Sequence, residues 1–177
     1  MLRNKLILAA LLGLGLTVNL YHTQRASAAF SADNKAAPVA TLPSATIGDK
    51  EELADLLVKM AAICAKVTEA GYTVAHVEVD RLVKGKVYAA SRTLYAGNNY
   101  KIVGIGGKGI ADLDMKLEDD DGATVAKDTE TDNVPIVDVT PKAEGSFTVK
   151  VAASAMEKGF DPEAPYYFCW VIAFKNK

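Results

Sequence analysis

At Tyr72 the hydrophobic period of this chain changes from that of a helix to that of a strand, and it does not change back. Before that point, DKEELADLLVKMAAICAKVTEAGY sets Leu53, Leu56, Leu57, Met60, Ile63, Cys64 and Val67 at three- and four-residue steps. That spacing predicts one apolar face of a helix over 49–71. Asp49 followed by Glu52 fits a capping box, with Asp where Ser or Thr is usual, and Gly71 is placed to stop the helix. The apolar face needs a cover: the sheet that follows, or a second copy of the helix in a homo-oligomer.

After Tyr72 come TVAHVEV, KVYAASRTL, NYKIVGI, ADLDMKLED, ATVAKD, VPIVDV, SFTVKVAAS and PYYFCWVIAF. Each is short and alternating or apolar, and Gly, Asn, Asp and Pro divide them. Roughly eight strands at close spacing over 72–177 predict a mainly β, antiparallel sandwich or barrel. No helical segment interleaves with them, which disfavours a parallel βαβ sheet.

The N-terminal part follows other rules. Arg3 and Lys5 precede an apolar run over residues 6–21, and Ala26-Ser27-Ala28 supplies a small-x-small site. This order predicts a secretory signal peptide over 1–28, cut before Ala29. The alternative is an uncleaved anchor, for which the run is short, since a span takes about 20 residues. Residues 29–48, rich in Ala, Pro, Ser and Thr, read as a flexible linker. Removing 1–28 takes away Arg3, Lys5 and Arg25 and no acid, so the net charge goes from −2 to −5. A mildly acidic exported chain has no basic patch for phosphates, so nucleic acid is excluded as a partner. Cys64 and Cys169 are the two cysteines. Export permits a disulfide between them, and two buried thiols are the alternative.

The densest chemistry lies in IADLDMKLEDDDGATVAKDTETDN, residues 110–133, with seven Asp and two Glu. On a strand, Leu113, Met115 and Leu117 face one way, and Asp112, Asp114, Lys116 and Glu118 the other. Asp121-Gly122 is a hairpin signal. A solvated face and a turn therefore account for most of these acids.

The stretch 96–151 also resembles the bacterial pre-peptidase C-terminal domain. The matching features are Gly97 and Tyr100 at the start of a strand, and a Gly-rich turn before Asp-Leu-Asp. Then come Asp119 and Gly122 in a hairpin, Asp128, and Pro141, Gly145 and Phe147 in a later strand. The resemblance covers about residues 87–174. It implies a jelly-roll-like sandwich in an exported, stand-alone protein, secreted or periplasmic. A capped helix stands where a protease would precede the domain.

Calcium is the one metal the acids invite, because hard cations take carboxylate oxygens. The ligands would be Asp112, Asp114, Asp119, Asp121 and Asp128. An EF-hand register fails, since Gly122 at position 6 puts Leu117 at position 1. GIGGKG, residues 104–109, matches Gly-x-Gly-x-x-Gly, but a strand follows where a dinucleotide site needs a helix. His76 is the only histidine after residue 28, too few for a familiar zinc cluster. It reads as an ordinary strand residue. No nucleophile elbow appears, so no catalytic residue is assigned and the chain reads as no enzyme. YYFCWVIAF, residues 166–174, reads as a buried central strand. Its alternative is a sugar-stacking platform of Tyr166, Tyr167 and Trp170. The expectation is an exported, non-catalytic binding or structural module that meets another protein. A carbohydrate- or calcium-binding module is the alternative, and after signal cleavage no membrane span is left.

Overall fold

The computed structural model describes residues 47–176. The expected signal peptide and nearly all of the linker lie outside the described residues. Helix α1 spans Ile47–Glu69, and eight strands follow: β1 (Thr73–Leu82), β2 (Val87–Leu94), β3 (Asn99–Gly106), β4 (Ile110–Glu118), β5 (Thr124–Asp128), β6 (Ile136–Val139), β7 (Gly145–Met156) and β8 (Tyr166–Lys175). Each of the eight expected segments forms a strand. The helix starts two residues before the expected cap, so Asp49 lies within its first turn.

The strands form two four-stranded sheets, β1-β8-β3-β6 (sheet 1) and β2-β7-β4-β5 (sheet 2), with every pairing antiparallel. All connections but one cross from one sheet to the other, which is jelly-roll winding. The exception is β4–β5, where Asp121-Gly122 makes the expected hairpin. Gly122 has φ +79°, a left-handed value open to glycine. Its N–H donates to the Asp119 carbonyl at 3.0 Å, and the Asp119 carboxylate accepts the Ala123 N–H at 2.8 Å.

Between the sheets, Leu113, Met115 and Leu117 of β4 meet Phe168, Trp170 and Ile172 of β8, with Val149 and Val151 of β7 beside them. Sheet 1 is covered on its other side as well. Leu56, Met60 and Val67 of α1 are buried, and Leu56 and Met60 join Ile105, Cys169 and Val171 in one cluster under the helix. Burying each such side chain stabilises the fold by roughly 1.5–3 kcal/mol. The helix face expected to need a partner therefore finds it in its own sheet. With two covered faces, β8 carries an unbroken apolar run. The helix ends in a Schellman turn, in which Tyr72 N–H reaches the Val67 carbonyl and Gly71 N–H that of Thr68, both at 2.9 Å. No described helix is long and apolar enough to cross a membrane.

Candidate functional site

The five aspartates expected around calcium are not gathered. Asp112 and Asp114 lie on the outer face of sheet 2, opposite Ala155 and Ala152 of β7. Asp119 and Asp121 lie at the far end of β4, in the hairpin. Asp128 ends β5 and is spent on the backbone: its two oxygens accept the N–H of Glu130 at 3.0 Å and of Ile136 at 2.7 Å. It thereby ties the edge of sheet 2 to that of sheet 1. Among the described residues no three His, Cys, Asp or Glu side chains are placed to hold one metal ion. Asp114 does feel its neighbours. Burial raises its pKa most, and the charges of Asp112 and Asp128 add to the rise.

The aromatic platform is not built either. Trp170 is 0 % exposed, in the core between the sheets. Tyr167 is on the helix side of β8, with the Arg81 guanidinium 4.2 Å from its ring centroid. Tyr166 faces Phe160, with ring centroids 5.6 Å apart. Alternation explains the split: Tyr167 and Trp170 are three apart on a strand, so they face opposite sides. Cys64 and Cys169 are free thiols in the helix–sheet layer, so the disulfide that export would permit is not formed. Burial, with the Cys64 charge behind it, pushes the Cys169 thiol up to about 12.

His76 is less ordinary than its place in TVAHVEV suggests. A one-residue slip in register at Ala75 lets Val74 pair with Ala173 while His76 pairs with Ile172. Val74, Val77 and Val79 then serve the helix side, and His76 and Glu78 turn inward. Across the gap, Tyr88 and Arg92 point inward from β2. Glu78 accepts hydrogen bonds from Tyr88 Oη and from Arg92 Nη2, the latter at 2.5 Å. His76 Nε2 lies 2.9 Å from both Glu78 Oε2 and Arg92 Nη2. The Trp170 indole floors the group, 5.0 Å from the His76 ring and 5.3 Å from the Arg92 guanidinium carbon.

Electrostatics follow from this contact set. Burial pushes the Glu78 carboxyl up, but hydrogen bonds from His76 and Tyr88 and the Arg92 charge outweigh it, so its pKa falls below the usual carboxylate value. Burial and then the bond to Glu78 drive the Tyr88 hydroxyl well above its ordinary value. The Trp170 N–H works slightly the other way on Tyr88, yet Nε1 is buried and completes no hydrogen bond. This network joins edge strands β1 and β2, which share no ladder, and so closes one open side of the sandwich.

The outer face of sheet 2 is built differently. Lys116 on β4 is the direct partner of Lys150 on β7 and of Lys127 on β5. Three lysines thus stand side by side on three adjacent strands, spread over roughly 10 Å at the usual strand spacing. Like charges directly opposite on a sheet repel. Relief comes from Glu118 in the next row, whose carboxylate meets Lys116 at 2.8 Å and Lys150 at 2.5 Å. Those two hydrogen bonds hold the Glu118 carboxyl below its usual pKa. Little of Glu118 meets water, because the two lysine side chains lie over it. Lys127 makes no ion pair among the described residues. On the other side of the row, Asp114, Ala152 and Val87 are in register. Between these rows is a depression of about 220 Å³, walled by Val87, Asp114, Thr129 and the three lysines.

No protein-family model matches the chain, and no curated protein matches it. Among solved structures it is similar to a carbohydrate-binding module, CBM36, in complex with calcium and xylotriose. That match has a TM-score of 0.28 and 15 % identity, and it covers 59 % of this chain and 92 % of the other. A likeness of that degree assigns no ligand to this chain.

Proposed function

We propose that the protein is an exported, non-catalytic binding module whose ligand lies on the outer face of sheet 2. The observation that carries this reading is which sheet faces are free. Sheet 1 has the second sheet on one side and the helix on the other, so among the described residues the one broad sheet face left open is that of β2-β7-β4-β5. That face also holds the depression. A helix-mediated partner or homo-oligomer loses its basis, because the apolar face of α1 is used within the chain. His76, the histidine an enzyme would call on, has its Nε2 held by Glu78 and Arg92 inside the fold. The signal-like residues 1–28 and the resemblance to pre-peptidase C-terminal domains support the exported setting.

The test is a glycan array read with three variants. Ala152→Trp fills the depression, and Val87→Glu alters its exposed rim. Val58→Asp alters the helix, where Val58 is 52 % exposed. Binding that is lost in the first two at an unchanged melting temperature, and kept in the third, supports the reading. Binding lost only in Val58→Asp moves the function to the helix. An array with no bound glycan removes the carbohydrate class from this face.

A further inference from the structure

We infer that the lysine row on sheet 2 binds a single chain of anionic polysaccharide, its carboxylates set along Lys127, Lys116 and Lys150. This rests on the reading of sheet 2 as the ligand face and adds the chemical class.

The argument starts from misfit. A fold gains nothing from three ammonium groups in register, and one carboxylate, Glu118, is bonded to two of them. An anion supplied from outside would complete what Glu118 begins, and Lys127 is where it is most needed. Lys116 and Lys127 are exposed and Lys150 is half-buried, so at least two ammonium groups are open to an incoming polymer.

The surroundings select among polyanions. Acids flank the row on both sides, Asp114 in one neighbouring row and Glu118 in the other. Asp119, Asp120 and Asp121 lie beyond the end of β4. A broad anionic surface, such as a bilayer or a nucleic-acid duplex, would meet those acids along with the lysines. The chain's overall charge of −2 adds to that repulsion. A narrow chain lying across the strands meets the lysines alone. An acidic peptide is narrow as well, but the depression beside the row favours a polyol. It offers the Thr129 hydroxyl and the Asp114 carboxylate, which accepts hydrogen bonds from hydroxyl donors. The apolar patches of Val87 and Ala152 can lie against C–H faces of a sugar ring.

The experiment is calorimetric titration of residues 29–177 with polygalacturonate at several salt concentrations. The fully methyl-esterified polymer, neutral xylan, poly-glutamate and phosphatidylglycerol vesicles run beside it. The expected result is binding to polygalacturonate alone, weakening as salt rises. The slope of log K against log salt should be near −2, roughly 0.7 per ion contact on a single-stranded polyanion. Lys127→Gln should weaken binding several-fold, and Lys116→Gln with Lys127→Gln tenfold or more. A melting temperature held or raised in Lys127→Gln shows that the loss is not unfolding.

Other results overturn the proposal in distinguishable ways. Binding of the esterified polymer or xylan, lost in Ala152→Trp and indifferent to Lys127→Gln, keeps the ligand face and rejects the anionic class. Equal or tighter binding of poly-glutamate or vesicles rejects the polysaccharide. No binding by any of the five rejects the anionic polysaccharide outright.

Discussion

Two groups of charged side chains lie on opposite sides of one sheet and behave in opposite ways. Inside, Glu78 collects Tyr88, Arg92 and His76, with Trp170 beneath them. Outside, Lys116 has a lysine on either hand and a share of one carboxylate. The inner group is rich in mutual satisfaction, and its charges hold two edge strands together. The outer group is held in place by the strands against its own repulsion. Where a fold maintains a local conflict, the gain is expected in function rather than in stability. Removing inner groups should therefore weaken the protein, and removing outer ones should strengthen it.

The largest effect is expected at the floor of the inner group. Trp170→Ala should cost about 3–5 kcal/mol, as for other large buried aromatics, measured by denaturant unfolding. A cost under 1 kcal/mol would mean that the inner group does not depend on its floor.

Next is Glu78→Gln, which leaves Arg92 half-buried without its anion and should cost about 1–3 kcal/mol. A double-mutant cycle with Arg92→Met checks the source of that loss: full additivity would deny that the two side chains act together. A pH dependence accompanies it. Glu78 and Glu118 both have lowered folded pKa values. The stability they give is complete above the ordinary carboxylate value of 4.5 and is lost as pH falls through the lower folded values. Melting followed from pH 6 downward should show a decline beginning near pH 4.5, shallower in Glu78→Gln.

The smallest effect has the opposite sign. Lys127→Gln removes a repulsion and should raise stability by roughly 0.2–1 kcal/mol at low salt. The gain should vanish near 1 M salt, where the screening length is about 3 Å. A loss of stability at low salt would show that Lys127 is satisfied after all, and the comparison would collapse.

The two groups were unequally legible in the sequence. Alternation placed Lys116 on the wet face of ADLDMKLED, opposite Leu117, and the structure keeps it there. What alternation lacks is register. Lys116, Lys127 and Lys150 become neighbours only when β4, β5 and β7 are aligned, and no spacing along the chain encodes that. The inner group was harder still. Val74 and Val77 are three apart, a slip of phase that signals a bulge and turns His76 away from the valines. A residue turned away from apolar neighbours normally meets water, so nothing in TVAHVEV announced Arg92 and Tyr88 across the gap. Trp170 was ambiguous for a related reason. A strand covered on both faces shows no alternation, so the run YYFCWVIAF could not say which side each ring takes. Asp121-Gly122 and Gly71 were the clearest signals, because a left-handed backbone is a local demand that glycine answers locally.

The inner network has a further consequence for how this protein lives among copies of itself. Among the described residues β1 and β2 are edge strands, ten and eight residues long, with no strand paired along their outer sides. Long bare edges invite strands from other molecules, and inward-pointing charges are one way that natural sheets discourage this. His76 and Glu78 on one edge and Arg92 on the other fill that place. A foreign strand adding to either edge would have to extend a core that is, on this side, ionic. The same contacts that fasten the sandwich shut thus also discourage edge-to-edge pairing, so replacing them with leucines should yield a protein that withstands heat yet aggregates when concentrated.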